Sequence, residues 1–377
     1  GGVVAVGRVA RDCGFDRAIG FDMGGTSTDV CRWETEPERV YESQVAGVRI
    51  RAPMMDVHTV AAGGGSICRA HPDRLTVGPD SAGSRPGPLA YGADDARELA
   101  LTDVMLVLGR LVPDRFPFAL HEARVQQVLS ERAQTGGFEQ PETLAQGFFE
   151  VACATMAEAI RKVSVARGHD VRTHAMVVFG GAGGQAACAI ARRLQMTDIL
   201  IHPLAGVLSA LGMGLADVTW DGVRDAIGHP VAGRPPEPLE PLARELEERG
   251  TEALRDQGFE KPLLRRRVDL RYAGTETVLT LHWTENLESA FEEAHQQRFG
   301  YVRPGHPIET VAVRVEAIGP SEPPTMPEPT SDDSVHRFGR IFLNGEWQNV
   351  PVLDRDQLEV GTWTPGPCVV LDQTGTV

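Results

Sequence analysis

The chain has 377 residues, enough for two or three domains, with 42% hydrophobic and 24% charged residues, a globular balance that excludes a disordered or fibrous polypeptide. Its formal charge of −15 argues against nonspecific binding to nucleic acid or an anionic membrane surface. No apolar run reaches the roughly 20 residues that a bilayer span needs, no leader segment is visible, and six dispersed cysteines form no C-x-x-C pair, which together fit reduced thiols in a cytoplasmic protein.

In chain order, a helix is expected from Val4 to Cys13, followed by three short strands, the last near Arg39 to Glu42. The first strand, Arg17-Ala18-Ile19-Gly20-Phe21, runs into Asp22-Met23-Gly24-Gly25-Thr26-Ser27-Thr28-Asp29, and Val30-Cys31-Arg32-Trp33 returns. This reads as a β-hairpin whose turn faces a phosphate. Gly24 and Gly25 let backbone N–H groups approach an anion, Thr26, Ser27 and Thr28 add donors, and Asp22 and Asp29 are placed to hold Mg2+ or its waters. An acid among apolar residues at a strand end is costly without such a partner. The other reading is a glycine-rich hairpin with a solvated Asp.

A long region follows, from Met54 to Pro88, whose Gly and Pro content predicts ordered loop rather than regular structure. Within it Asp56 and His58 stand two apart, so in an extended segment they share a face and are candidate ligands of a divalent metal; a hydrogen-bonded structural His fits as well. Gly63-Gly64-Gly65-Ser66 either binds an anionic group or lets the loop pass the sheet.

Leu144, Phe148, Val151, Met156, Ala159 and Val163 recur at helical spacing and predict a long amphipathic helix from Pro141 to Ser164. Ala175 to Phe179 is a buried strand, Gly180-Gly181-Ala182-Gly183-Gly184-Gln185 a loop, Ala186 to Leu194 a helix and Ile199 to Ile201 the next strand, which implies a parallel pair with a right-handed crossover. The loop does not fit a dinucleotide fingerprint in register. It suits a flat backbone surface for an adenosine, or a tight helix–strand contact. Gly206 to Gly214 is small enough to pack a helix closely. Beyond a Pro/Gly linker at Gly228 to Pro238 come a helix from Leu239, strands at Val268 to Tyr272 and Thr277 to His282, a helix from Leu287 to Phe299 and a strand from Val311 to Ala317. After a Pro-rich linker at Gly319 to Ser334, Asn344-Gly345 marks a hairpin. The domain reading is 1–227, 239–318 and 335–377.

These segments resemble the A-type subunit of the hydantoinase and 5-oxoprolinase family, which also includes ketone carboxylase subunits. The matching stretches are FDMGGTSTDV (Phe21 to Val30), RAPMMDVHTVAAGGGSI (Arg51 to Ile67), VGPDSAGSRPGP (Val77 to Pro88), LTDVMLVLGRLVPDRFP (Leu101 to Pro117), IRKVSVARGHD (Ile160 to Asp170), FGGAGGQ (Phe179 to Gln185) and IHPLAGVLSALGMGLADV (Ile201 to Val218). The pattern is nearer to 5-oxoprolinases than to the carboxylases. The resemblance implies an α/β, actin-like (ribonuclease-H-like) ATPase lobe with a mixed sheet, followed by a C-terminal α+β and β-rich region. It implies that FDMGGTSTDV is the second phosphate loop of that fold, and Asp22 and Asp29 are the candidate catalytic residues. It further implies that Gly180, Gly181, Gly183, Gly184 and Gln185 carry the adenosine, and that ATP and Mg2+ are used. Members phosphorylate a lactam oxygen such as that of 5-oxoproline, a B-type partner completes hydrolysis, and the whole is an oligomer. Asp22, Asp56 and His58 are the metal candidates, the last two for a second divalent ion. Two departures are expected to matter: Ala186 stands where the family has His, and the family's amino-terminal lobe lies outside this sequence, so the piece alone is expected to bind and turn over ATP weakly.

Overall fold

A computed structural model describes residues 1–41, 43–45, 48–50, 52, 54–113, 116–321 and 337–372. They form two compact units, one of residues 1–213 with the C-terminal segment, the other of residues 214–324.

The first unit is built on a mixed sheet in the order Ile199–Ile201, Ala175–Phe179, Arg17–Met23, Thr28–Glu34 and Glu36–Pro37, with Val57–Val60 also paired to Thr28–Glu34. Arg17–Met23 is parallel to Ala175–Phe179, and Met176 pairs with Ile199 in the expected parallel crossover, whereas the pairings around Thr28–Glu34 are antiparallel. Alternation divides the central strand. Ile19, Phe21 and Met23 face a core shared with the helix Pro141–Val163, and Ala18 faces the helix Gly2–Asp12. That first helix buries the small residues Val3, Ala5, Val6, Val9 and Ala10, and it lies so close that a Cβ on Gly20 would sit 2.6 Å from Val6. It starts at Gly2 rather than Val4.

The region from Met54 to Pro88 is not loop throughout, contrary to the sequence expectation. Val57–Val60 joins the main sheet and Ser66–Ala70 pairs antiparallel with Leu75–Ser81. Cross-strand pairing of β-branched and apolar residues outweighs the local Gly and Pro content here. Likewise the helix Gly183–Leu194 begins inside the glycine loop, three residues before the expected Ala186.

In the C-terminal segment, Arg337–Leu343 and Glu346–Asp354 form the expected hairpin, with positive φ at Asn344 and Gly345 as a tight turn requires. Val369–Leu371 adds in parallel. This segment groups with residues 1–213 rather than standing apart. The Pro-rich linker reading falls largely on residues outside those described, as does Glu42.

The second unit is an antiparallel sheet in the order Val218–Asp225, Ile308–Gly319, Leu263–Tyr272 and Leu279–His282. Leu239, Ala243 and Leu246 of one helix and Leu287 and Phe291 of another share its core with Val268, Leu270 and Val313. Val218–Asp225 was not foreseen. It alternates half-buried and exposed residues and pairs along Ile308–Gly319, so the expected boundary at 227 falls beyond a strand of this unit.

Candidate functional site

Asp22 pairs with Asp29 and Met23 with Thr28, so Gly24-Gly25-Thr26-Ser27 is the connection of the first hairpin. Gly24 N–H donates to Ser27 O at 3.0 Å and closes it. Thr28 is fully buried and donates to Ala62 O at 2.5 Å, so its hydroxyl anchors the neighbouring loop instead of facing a phosphate. That loop lies directly on the turn: Gly64 N–H donates to Gly24 O at 3.0 Å and Gly65 N–H to Gly25 O at 2.6 Å. A Cβ on Gly63 would lie 2.8 Å from Gly24 O and from Ser27 N, so only glycine fits. With the carbonyls of Gly24 and Gly25 engaged on the inner side, the amides of Gly25, Thr26 and Ser27 have no protein acceptor among the described residues. Successive backbone donors of this kind at a tight turn can take an anion.

The third glycine segment arrives at the same place. Ala182 N–H donates to Met23 O at 3.1 Å, and Gly180, at φ +82°, is so close that a Cβ would sit 2.5 Å from the Asp22 carboxylate. From Gly183 the helix Gly183–Leu194 leaves with no side-chain cap, so its first amides are directed back to this junction. The glycines differ in reason. Gly183 lies 3.0 Å, by its would-be Cβ, from Val178 and serves helix–strand packing, whereas Gly181 opens on free space. Gln185 gives its carbonyl to Arg110 at 3.5 Å, and Ala186 is buried core. All three glycine loops lie at the carboxyl ends of the two parallel central strands, where open α/β sheets bind ligands.

Two carboxylates face each other across this junction. Burial, with Asp29 adding, pushes the half-buried Asp22 above the ordinary carboxylate range, and the Ser209 hydroxyl, donating at 3.1 Å, offsets part of that. Asp29 accepts from Thr59 Oγ1 at 2.5 Å. Like charges directly opposed on antiparallel strands are destabilising. With the hydroxyls of Ser209 and Thr59 donating to them, the two carboxylates could together hold a divalent cation.

Asp56 and His58 do not join them. His58 pairs with Val30, whose side chain lies in the core on the other face of the sheet from Asp29. Asp56 is four residues beyond Val60, the partner of Thr28, about 13 Å along the strand at ~3.3 Å per residue. Its carboxylate is ion-paired with Arg167. Burial and Lys162 lower the pKa of His58. Asp56 and His58, the candidates for a second divalent ion, therefore lie apart from Asp22 and Asp29, and the Asp56 carboxylate is engaged by Arg167. No group of three or more His, Cys, Asp or Glu residues able to hold a metal occurs among the described residues.

Sequence reasoning missed Ser209, Thr59 and Asp103. Buried Asp103 accepts from the amides of Leu89, Ala90 and Ala100 at 3.1, 2.8 and 2.8 Å, although desolvation raises its pKa. It fixes the helix that begins beside Thr102, whose amide and hydroxyl both donate to Gly64 O at 2.7 and 2.8 Å. Acidic residues at the third helical position signal such caps. Burial pushes the thiols of Cys31 and Cys153 up to about 12, so neither is a thiolate at neutral pH.

The fold and this junction define a member of a known class: the Hydantoinase/oxoprolinase family profile matches residues 1–222, and the chain belongs to that family. Among its relatives, 5-oxoprolinase 1 of Arabidopsis thaliana is 36% identical over 95% of this chain. Caprolactamase subunit alpha of Pseudomonas jessenii is 31% identical over 98% of it. The crystal structure of the ATP-dependent caprolactamase from that organism superposes on the whole chain with a TM-score of 0.87 at 29% identity. A nucleotide-free acetone carboxylase structure, at 20% identity and a TM-score of 0.73, shares the fold. The chain spans 31% of the 5-oxoprolinase and 56% of the caprolactamase subunit. No helix among the described residues is long and apolar enough to cross a membrane.

Proposed function

We propose that this chain supplies an actin-like, ribonuclease-H-like ATP-binding lobe of an enzyme that phosphorylates and opens a cyclic amide such as 5-oxoproline. The convergence of three glycine segments on the opposed Asp22 and Asp29 is the observation that carries the reading. The donor row at Gly25, Thr26 and Ser27 suits phosphoryl oxygens, with the hydroxyls of Thr26 and Ser27 beside it. Within the loop Gly180 to Gly184, Gly181 opens on free space and offers backbone surface for the adenosine. Asp22 and Asp29 would hold Mg2+, which when bound neutralises charge on the phosphates.

In this reading ATP phosphorylates the lactam oxygen, and the amide carbon then carries a good leaving group for attack by water. The chain's own contribution is to position phosphates and to exclude water at the junction. A B-type partner completes hydrolysis within a cytoplasmic oligomer. The identities of 36% and 31% to enzymes named for lactams favour an amide over a ketone substrate. Turnover of ATP by the full-length protein with its partner, measured with 5-oxoproline, hydantoin, caprolactam and acetone, tests this. Stimulation by a lactam supports it; stimulation by acetone alone assigns a carboxylase, and no stimulation by any of them assigns a noncatalytic scaffold.

A further inference from the structure

A second feature adjoins the glycine junction without belonging to it. Ala82 N–H donates to Gly65 O at 2.8 Å, so the turn that follows hangs from the same loop that covers Gly25. Gly83 N–H donates to Ser81 Oγ at 3.1 Å and Gly87 N–H to Ala82 O at 3.2 Å, which holds the turn in shape. Arg85 stands at its tip, and its side chain has no hydrogen-bond or ion-pair partner among the described residues.

Arg85 borders a cleft of about 640 Å3 whose walls include Ser84, Pro86, Tyr91, Asp95 and Phe118. The size is that of a small-molecule site. Tyr91 and Phe118 meet edge to face at 5.2 Å and Phe116 packs on both at 5.8 and 5.4 Å, so the three rings make one apolar wall. Asp103 locks the backbone just before Tyr91 through Leu89 and Ala90.

We propose that this cleft binds the ring of a carboxylate-bearing lactam, with the Arg85 guanidinium gripping the carboxylate and the Tyr91–Phe118 wall packing against the ring. The choice of a lactam rests on the ring-opening reading above. Arginine presents two parallel N–H groups that match a carboxylate, and the aromatic faces suit a flat apolar ring. Asp95 offers an acceptor for a ring N–H and repels a second negative charge. A neutral lactam fills the same volume but leaves the guanidinium without its counter-charge, so the cleft selects acidic rings.

The test is equilibrium binding of 5-oxoproline and of caprolactam to the full-length protein in its native assembly, alongside Arg85→Gln and Arg85→Lys. The wild type is expected to prefer 5-oxoproline. R85Q is expected to weaken its binding by roughly ten- to a hundredfold, the range for one charge-assisted hydrogen-bonded contact, while caprolactam affinity changes less than about twofold. R85K is expected to fall between, because it keeps charge and loses the fork. Unchanged 5-oxoproline affinity in R85Q, a wild-type preference for caprolactam, or no binding of either lactam overturns the proposal. Turnover separates the two readings. If 5-oxoproline binds through Arg85 but no lactam raises ATP hydrolysis, ring opening fails and the cleft stands. If lactam-stimulated hydrolysis is present and R85Q leaves KM unchanged, the cleft fails and ring opening stands.

Discussion

The strand Thr28–Glu34 carries acidic groups at both ends, and the two ends are treated differently. At the hairpin end Asp29 faces Asp22, and hydroxyls of Thr59 and Ser209 are the donors they receive. At the far end, on the opposite face, Glu34 and Glu38 are bound by the nearly buried Arg32 at 2.5 and 3.0 Å, while Arg167 pairs with Glu38 and Asp56. One end is neutralised from within the chain. The other holds two opposed carboxylates beside backbone amides without a protein acceptor among the described residues, a balance that the proposed Mg2+ and nucleotide would complete. Charge pairing thus distinguishes a structural cluster from the proposed binding site even though both contain acids at plausible ligand spacing.

The largest effect expected from breaking this contrast is on turnover. Asp22→Asn in the full-length assembly is predicted to lower ATP hydrolysis on the order of a thousandfold, as loss of metal-borne charge stabilisation worth several kcal/mol requires. The same variant is predicted to be more stable than wild type at neutral pH without Mg2+. Because the folded Asp22 carboxyl has a raised pKa, its contribution is fully present below the ordinary Asp range and is lost as pH rises through the raised value. Chemical denaturation of both proteins across that window checks the sign. By linkage, Mg2+-nucleotide affinity is predicted to fall as pH drops through it.

Next comes the far end. Arg32→Ala is predicted to cost about 3 kcal/mol of stability, since it leaves Glu34 and Glu38 without their nearly buried partner, and to leave nucleotide affinity per folded molecule unchanged. A smaller loss, roughly 1–3 kcal/mol, is predicted for Gly63→Ala, whose new methyl would press on the Gly24–Ser27 backbone. Unlike Arg32→Ala, it should also weaken nucleotide binding, which calorimetry on the folded protein reads. The smallest effect is predicted for Ser209→Ala. It removes one hydrogen bond of roughly 1 kcal/mol from Asp22, so Mg2+ affinity should shift less than about tenfold and Ser209→Thr should restore it.

The central strands, the crossover and the long helix were legible because their apolar runs and periodicity are local signals. The hairpin turn was legible too, since two glycines between acids and hydroxyls have few other uses. What escaped was relational. That Thr28 is spent on Ala62, that Ser209 reaches Asp22 from far along the chain, and that Gly63 must be bare to clear Gly24 all depend on which loops meet. Asp56 and His58 keep the two-residue spacing that the sequence shows, but which carboxylates they lie near depends on the register with Thr28–Glu34, which puts His58 on the face away from Asp29, and on Arg167, which neutralises Asp56.

The most direct measurement is a calorimetric titration of ATP into the full-length assembly with and without Mg2+, for wild type, Asp22→Asn and Asp56→Asn. The account predicts that Mg2+ strengthens ATP binding in wild type and in D56N but not in D22N. Equal Mg2+ enhancement in D22N, or its loss in D56N alone, would contradict it.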